Sequence, residues 1–235
     1  MTRWVLVDLA QASGDHGELR LYRRVDEFSI RVGNSELMNS RVHASEEALG
    51  ELVCARIADR LRPRVLIGGL GMGYTLKAAL QGLSAQGRVV VAELIPAVVA
   101  WNRGPLGDLA GRPLMDDRVV VREVDVARIL IEEQCAYDAI LLDVDNGPTG
   151  LTSNRNDWLY SRLGLSAAID ALRPGGVLAV WSAGPDPAFT HRLRKTGFQV
   201  EEVKLRARGT RGGSRHTIWI ACRASQSPEQ GLPTR

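Results

Sequence analysis

The sequence lacks the cysteine pattern of a disulfide-stabilised or zinc-binding protein. Its 235 residues include three cysteines, Cys54, Cys135 and Cys222, and no two of them form a Cys-x-x-Cys pair. An odd number of widely separated cysteines supports neither a disulfide framework nor a zinc site. The histidines add no metal-ligand spacing either. We therefore expect a protein without a metal, located in the reducing cytoplasm.

The sequence also lacks long apolar runs and a strong excess of charge of one sign. No run is long enough to span a membrane, and the N-terminal segment meets Asp8 too early for a secretory signal. The net charge of +3 and the pI near 9.0 are only mildly basic. Charge of this size gives no argument for nucleic acid by itself. We expect neither a membrane nor a nucleic acid as partner.

The most informative stretch that is present spans residues 64–77 and reads RVLIGGLGMGYTLK. Its short aliphatic run stops at glycines and is followed by helix-forming residues, which predicts a buried strand, a tight turn and a helix. Gly68, Gly69, Gly71 and Gly73 would let the backbone approach a ligand, and the helix start offers free N–H groups. The stretch predicts a nucleotide site, although glycines also build plain turns.

A second apolar run, RVVVA at residues 88–92, ends directly before Glu93. This carboxylate lies about 20 residues past the last glycine, the separation at which an acidic residue accepts hydrogen bonds from ribose hydroxyls in a βαβ unit. The alternative is a strand-end carboxylate that caps the next helix, which Pro96 opens. We favour the ligand role for Glu93.

The order of patterns along the chain predicts an α/β protein. Alternating apolar patches predict a small β region over residues 1–43. Strands and helices then alternate and end in two strands joined by a basic, glycine-rich link. This alternation predicts a mostly parallel sheet with helices on both faces over residues 44–223. Residues 224–235 are polar and are predicted to be a disordered tail.

Several of these features together resemble a known family. They are the DEF segment at residues 26–28, the GGLGMG turn, Glu93, Val124-Asp125, Asp143 and the LRPGG turn at residues 172–176. The chain resembles the spermidine synthase-like (polyamine aminopropyltransferase) branch of the class I S-adenosylmethionine-dependent methyltransferase superfamily. The resemblance implies a Rossmann-like, seven-stranded, mostly parallel sheet with an antiparallel C-terminal hairpin, preceded by a small N-terminal β domain.

The resemblance also implies an activity. Spermidine synthases transfer an aminopropyl group from decarboxylated S-adenosylmethionine to putrescine and release methylthioadenosine, so the chain is expected to be a transferase of polyamine biosynthesis. By position, the four glycines and Glu93 would hold the side chain and ribose of this co-substrate. Asp125 and Val126 would contact the adenine. Asp143 would be the catalytic residue, because a carboxylate at the strand end can bind an ammonium and accept its proton.

Four further residues are expected to contact the amine substrate. Asp145 and Asn146 follow the catalytic aspartate, Glu47 is the nearest match to the Tyr-x-Glu segment of synthases, and Tyr160 would line an apolar channel. Each has a structural alternative. Asp143 itself would cap a segment, Asp145-Asn146 would be a polar turn, Glu47 a solvated glutamate and Tyr160 a core aromatic.

Two departures from the family keep other functions open. Gly71 stands where synthases carry an aspartate that binds the amine end of the decarboxylated co-substrate, and DVDNG at residues 143–147 replaces DSSDP. These differences favour a second hypothesis, a methyltransferase that uses intact S-adenosylmethionine on a small molecule. A third hypothesis is a non-catalytic nucleotide- or RNA-binding module, suggested by the basic loop at residues 204–215. Related synthases are commonly dimers, so the resemblance implies a homodimer.

Overall fold

The computed structural model describes residues 3–11, 17–33, 35–144, 147–148, 157–206 and 212–225. These residues form two β-sheets and seven α-helices. Within these ranges, no helix has the length and the apolar character needed to cross a membrane. The predicted tail lies outside the described residues from position 226 onwards.

The first sheet is antiparallel and has four strands in chain order. They are β1 (Val5–Gln11), β2 (Glu18–Arg24), β3 (Glu27–Val32) and β4 (Ser35–Asn39). The small N-terminal β region is confirmed, and β4 adds a strand that the apolar pattern did not indicate. Side chains of β2 and β3 are buried in the same apolar cluster as the main sheet.

The second sheet has seven strands and carries the predicted alternation. It contains β5 (Arg64–Gly68), β6 (Arg88–Ala92), β7 (Val119–Arg122), β8 (Tyr137–Leu142), β9 (Leu172–Ser182), β10 (Gln199–Arg206) and β11 (Arg215–Cys222). Their order is β10-β11-β9-β8-β5-β6-β7. Strands β5 to β9 are parallel to one another. Strand β11 pairs antiparallel with both β9 and β10, so β10 and β11 form an antiparallel hairpin at one edge. The predicted fold is confirmed.

Helices cover both faces of this sheet. They are α1 (Ala44–Arg56), α2 (Tyr74–Gly82), α3 (Pro96–Arg103), α4 (Val126–Glu132), α5 (Asp157–Tyr160), α6 (Arg162–Ala171) and α7 (Pro187–Lys195). One apolar cluster contains side chains of α1, α2 and α3, and the other contains side chains of α4, α6 and α7. Each face therefore has its own core.

Proline and capping residues set helix ends that periodicity alone did not locate. The pattern predicts one helix from Pro96 to about Leu109, but α3 ends at Arg103. Gly104 precedes Pro105, and the proline ring disfavours helical backbone at the residue before it. The single helix predicted from Asp157 onwards is two helices, because the Ser161 side chain caps α6 by accepting from the backbone N–H of Gly164.

Helices α1 and α2 pack closely at Gly50. A Cβ atom added to Gly50 would lie 2.8 Å from the Ala78 Cβ and 2.8 Å from the Ala79 backbone nitrogen. Since neither neighbour is the end of a flexible side chain, a larger residue must push the two helices apart. The absence of a side chain at Gly50 therefore sets the distance between α1 and α2.

We predict that Gly50→Ala lowers the free energy of unfolding by about 1–3 kcal/mol, the usual cost of overpacking. Urea denaturation followed by circular dichroism measures this change. Gly184→Ala is the matched control, because no atom lies within 4 Å of a Cβ added to Gly184. Equal stability of the Gly50→Ala variant and the unmodified protein would contradict the close packing of the two helices.

Candidate active site

The glycine turn lies at the edge where the parallel strands end. It connects β5 to α2, and Gly69, Gly71 and Gly73 have positive φ angles of 89°, 52° and 83°. A Cβ on Gly69 would overlap the carbonyl oxygen of Asp143, which follows β8. Only a glycine therefore fits where the chain leaves β5 beside the end of β8.

Gly68, the last residue of β5, is also in close contact with a neighbouring segment. A Cβ added there would lie 3.0 Å from the Val126 Cγ2 atom. Val126 is buried at the start of α4, and Asp125 caps that helix by accepting from the Ala127 backbone N–H at 2.9 Å. The two residues expected at the adenine therefore lie at this edge of the sheet, and their contact with adenine stays a prediction.

Glu93 follows β6 and is hydrogen-bonded to the glycine turn. Its Oε2 accepts from the Leu70 backbone N–H at 2.9 Å, and its Oε1 accepts from the Ile95 backbone N–H at 2.9 Å. The residue is buried. The contact with Ile95, directly before α3, is the helix-capping contact that the sequence also allowed. The structure thus places the Glu93 carboxylate beside the turn, where the ribose role stays a prediction.

Asp143 is partly buried and directly follows β8. Its backbone N–H donates to the Gly68 carbonyl at 2.9 Å, and its Oδ2 accepts from the Thr75 hydroxyl at 2.6 Å. Thr75 belongs to the first turn of α2. The glycine turn and the following helix therefore hold both the backbone and the carboxylate of Asp143.

A second partly buried carboxylate, Glu46, lies near Asp143. Burial, followed by the negative charge of Asp143, raises the pKa of Glu46 to about 7. Burial also raises the pKa of Asp143, against the opposing effect of the Thr75 hydrogen bond. The Ser45 hydroxyl donates to Glu46 Oε2 at 2.9 Å. We refer to Glu46 and Asp143 as the acid pair.

The sequence pattern indicated Glu47 and not Glu46, and the predicted contact of Glu47 with substrate stays a prediction. Glu47 forms an ion pair with Lys77 at 3.1 Å, and its side chain is 25% exposed. A signal for Glu46 was present in the sequence. Together with Leu49, Gly50 and Val53 it follows the i, i+3, i+4, i+7 spacing of one helix face, and those three residues are buried. A glutamate on the buried face of a helix indicates a functional or paired carboxylate.

The remaining predicted substrate residues have different outcomes. Asp145 and Asn146 lie outside the described residues. Tyr160 is buried, its hydroxyl donates to the Val144 carbonyl at 3.2 Å, and its ring contacts the ring of Phe189 edge to face. Tyr160 therefore packs directly below the segment that follows Asp143, and its predicted contact with substrate stays a prediction.

Two further residues that the sequence did not indicate contact the glycine turn. The side-chain amide of Asn102 in α3 donates to the Gly71 carbonyl at 2.8 Å and to the Val98 carbonyl at 2.9 Å. Met38 of β4 covers the turn, since a Cβ added to Gly71 would lie 2.9 Å from the Met38 Cε. The first sheet thus forms one wall of the site at the position where synthases carry an aspartate side chain.

The site combines a glycine turn with partly buried carboxylates. Burial and then the charges of Glu47 and Glu46 raise the pKa of Tyr74 to about 12. Among residues that the structure describes, no group of three or more His, Cys, Asp and Glu is arranged to hold a metal ion. The carboxylates beside the glycine turn can attract a cation and accept a proton from it.

Comparisons with known proteins agree with the resemblance seen in the sequence. No protein-family model matches the chain. A polyamine aminopropyltransferase from Oceanobacillus iheyensis is 28% identical over 179 residues, which cover 72% of this chain and 34% of that relative. The chain therefore spans about a third of the length of this curated relative.

Solved structures of spermidine synthases share the fold. The Thermotoga maritima spermidine synthase has a TM-score of 0.73 at 17% identity, covering 93% of this chain and 73% of that one. A spermidine synthase in complex with the transition state analogue AdoDATO has a TM-score of 0.72 at 17% identity, covering 93% and 72% of the two chains. A probable spermidine synthase from Corynebacterium glutamicum has a TM-score of 0.64 at 15% identity, covering 99% and 84%. The chain has a spermidine synthase-like fold.

We predict that Glu46→Gln stabilises the protein more at pH 8 than at pH 5. A glutamate in the unfolded chain has a pKa of about 4.3, whereas burial and the charge of Asp143 raise the pKa of Glu46 in the folded protein to about 7. The folded state therefore binds more protons between these values, and the protein loses stability as the pH rises through this window. The amide carries no such penalty. The gain in free energy of unfolding from Glu46→Gln should therefore be larger at pH 8 than at pH 5, by on the order of 2 kcal/mol.

Urea denaturation of the two proteins at both pH values measures this difference. Glu51→Gln is the matched control, because Glu51 lies on the same helix and is exposed. The control should show no comparable change with pH. If Glu46→Gln behaves like the control, the charged form of Glu46 does not lower the stability of the folded protein, and the prediction is wrong.

Proposed function

We propose that the chain is a transferase that moves an aminopropyl group from decarboxylated S-adenosylmethionine to a polyamine or a related amine. The acid pair carries this proposal. Two partly buried carboxylates beside a glycine turn, at the carboxyl edge of a parallel sheet, suit an acceptor that arrives as a cation and must lose a proton. The similarity to the aminopropyltransferase of Oceanobacillus iheyensis supports it.

The proposed reaction is a displacement at carbon. An amine nitrogen of the acceptor forms a bond to the carbon next to sulfur, and the carbon–sulfur bond breaks to release the neutral thioether, methylthioadenosine. The attacking nitrogen is mostly protonated at neutral pH, so it must first lose a proton. Asp143 accepts this proton, directly or through water, and its raised pKa makes it a better base than an ordinary aspartate.

Glu46 orients the acceptor in this proposal. With Asp143 it provides two negative groups for one ammonium, and the bound cation would in turn favour the charged form of both carboxylates. Thr75 positions Asp143 through the 2.6 Å hydrogen bond from its hydroxyl. The sulfonium is already a good leaving group, so correct placement of nitrogen and carbon supplies much of the rate enhancement.

The residues around the glycine turn fit the co-substrate. The turn lets the backbone approach a ligand closely, and the buried carboxylate of Glu93 lies beside it to hold the ribose hydroxyls. Asp125 and Val126, at the start of α4, would contact the adenine. A cytoplasmic location and a homodimer complete the proposal, on the basis of the cysteine content and the family resemblance.

Transfer of a methyl group from intact S-adenosylmethionine is the second candidate, and one observation favours it. Gly71 has no side chain, and the space above it is occupied by Met38. The carboxylate of the intact co-substrate therefore meets no opposing aspartate at this position. Against this candidate, the relatives and structures reported above are aminopropyltransferases or spermidine synthases.

We predict that Asp143→Asn lowers turnover by about 100-fold or more, because the amide cannot accept the proton. Binding of methylthioadenosine should change little, and the fold should be retained because the amide removes a buried charge. Turnover is measured with decarboxylated S-adenosylmethionine and a panel of diamines and triamines. Asp170→Asn, at an exposed position of α6, is the matched control and should keep full activity. Unchanged turnover in Asp143→Asn would show that Asp143 is not the general base.

We predict that the protein binds decarboxylated S-adenosylmethionine more tightly than the intact form, because the acidic site repels the additional carboxylate. Calorimetric titration with both ligands measures the ratio of affinities. The double variant Gly71→Asp/Met38→Ala restores the aspartate and removes the side chain above it. It should increase the ratio about 10-fold, equivalent to about 1.4 kcal/mol.

The single variant Met38→Ala is the control for these titrations, since it opens the same space without adding charge. If the unmodified protein binds the intact form more tightly, the result contradicts aminopropyl transfer and favours the methyltransferase hypothesis. Binding of neither form would support the non-catalytic module.

A further inference from the structure

A cavity of about 480 Å³ lies at the opposite edge of the seven-stranded sheet, where the parallel strands begin. Four arginines line it, Arg62, Arg64, Arg88 and Arg173, and Gln86 adds a side-chain amide. No acidic residue is part of the lining. We refer to this site as the arginine cavity. It is separate from the acid pair, which lies at the edge where the strands end, and its function does not depend on the proposed reaction.

The backbone of the sheet brings two of these arginines together. Arg64 and Arg88 are register partners at the first positions of the parallel strands β5 and β6. The Arg88 backbone N–H also donates to the Pro63 carbonyl at 2.9 Å, which fixes the start of β6 against the segment before β5. Like charges on directly opposed residues destabilise a sheet. An anion bound between them would relieve this repulsion.

Carboxylates neutralise only part of the positive charge around the cavity. Arg64 forms an ion pair with Glu133 at 3.0 Å, and Arg173 forms one with Asp138 at 2.7 Å. Asp138 also lies 3.6 Å from Arg60, so its single charge is shared between two arginines. The carboxylate is 2% exposed, whereas the Arg173 side chain is 39% exposed. The arginine, and not its acidic partner, is therefore available at the surface.

Arg62 and Arg88 have no carboxylate partner within ion-pair distance in the described part of the chain. Arg88 does contribute to lowering the pKa of Asp116, but that carboxylate is held by hydrogen bonds from Arg118. The Arg88 guanidinium donates to the Gly87 carbonyl at 2.8 Å. Arg62 and Arg88 thus lie beside two ion-paired arginines, Arg64 and Arg173, whose side chains are 36% and 39% exposed.

The ligand that fits this arrangement is an anion with several phosphate groups. Guanidinium groups bind phosphate oxygens through paired N–H donors, and several arginines around one cavity match several phosphates. The volume lies within the usual range for small-molecule sites. A nucleic acid would instead need a charged groove that continues along its backbone. We propose that the arginine cavity binds a small oligophosphate anion, such as the phosphate chain of a nucleoside triphosphate.

Calorimetric titration of the full chain with tripolyphosphate tests this site. Tripolyphosphate should bind at least 10-fold more tightly than orthophosphate at equal ionic strength, because it spans several guanidinium groups. The double variant Arg62→Gln/Arg88→Gln should weaken tripolyphosphate binding at least 10-fold. Neither arginine has an ion pair to lose, so the variant is expected to fold, and a thermal melt checks this.

Arg206→Gln is the matched control. It removes the same kind of charge from the last residue of β10, which lies at the other edge of the sheet and two strands away from the parallel set. The control should change tripolyphosphate affinity less than twofold. If the control and the double variant weaken tripolyphosphate binding equally, binding depends only on the net charge of the protein. This result would overturn the proposal.

Two further results would also overturn it. One is equal affinity for orthophosphate and tripolyphosphate, and the other is tighter binding of a single-stranded RNA 12-mer than of tripolyphosphate. If the double variant does not fold, Gln86→Glu provides an independent test, because it adds a negative charge to the lining without removing an arginine. It should weaken tripolyphosphate binding at least 10-fold, and unchanged binding would exclude the cavity as the site.

Discussion

The chain leaves β5 through a space that only backbone can occupy. Gly69 passes so close to the carbonyl of Asp143 that a single additional carbon would collide with it. This close passage joins the ends of two central strands, and the hydrogen bond from the Asp143 N–H to the Gly68 carbonyl maintains it. It also determines where the Asp143 carboxylate lies relative to the turn. A side chain at Gly69 would therefore disturb the strand ends and the proposed base together.

The region before the glycine turn contributes to the site as much as the sheet does. Helix α1 carries Glu46, and its distance from α2 depends on the close packing at Gly50. The first sheet covers the turn with Met38 and is anchored to α3, where the Trp101 indole N–H donates to Asp8 at 2.7 Å. The N-terminal residues are therefore part of the same functional unit as the Rossmann-like sheet.

Local features of the site were predictable, whereas features that depend on packing were not. The glycine turn, Glu93 and Asp143 each follow an apolar strand, so their positions at one sheet edge follow from the βαβ pattern alone. Glu46 and Glu47 are adjacent in the sequence, and only the rotation of α1 against α2 decides which one lies near Asp143 and which one pairs with Lys77. The arginine cavity was not predictable, because its residues come from separate segments that the register of β5 and β6 brings together.

The hydrogen bond between Thr75 and Asp143 joins residues that are 68 positions apart, and Glu46 lies still earlier in the chain. Contacts of such high sequence separation form only after long loops have closed, because closure costs chain entropy before the contact is gained. The acid pair thus exists only when the N-terminal helix, the glycine turn and the end of β8 have all reached their native positions. A partly folded chain would contain each of these segments without having the proposed proton acceptor in place.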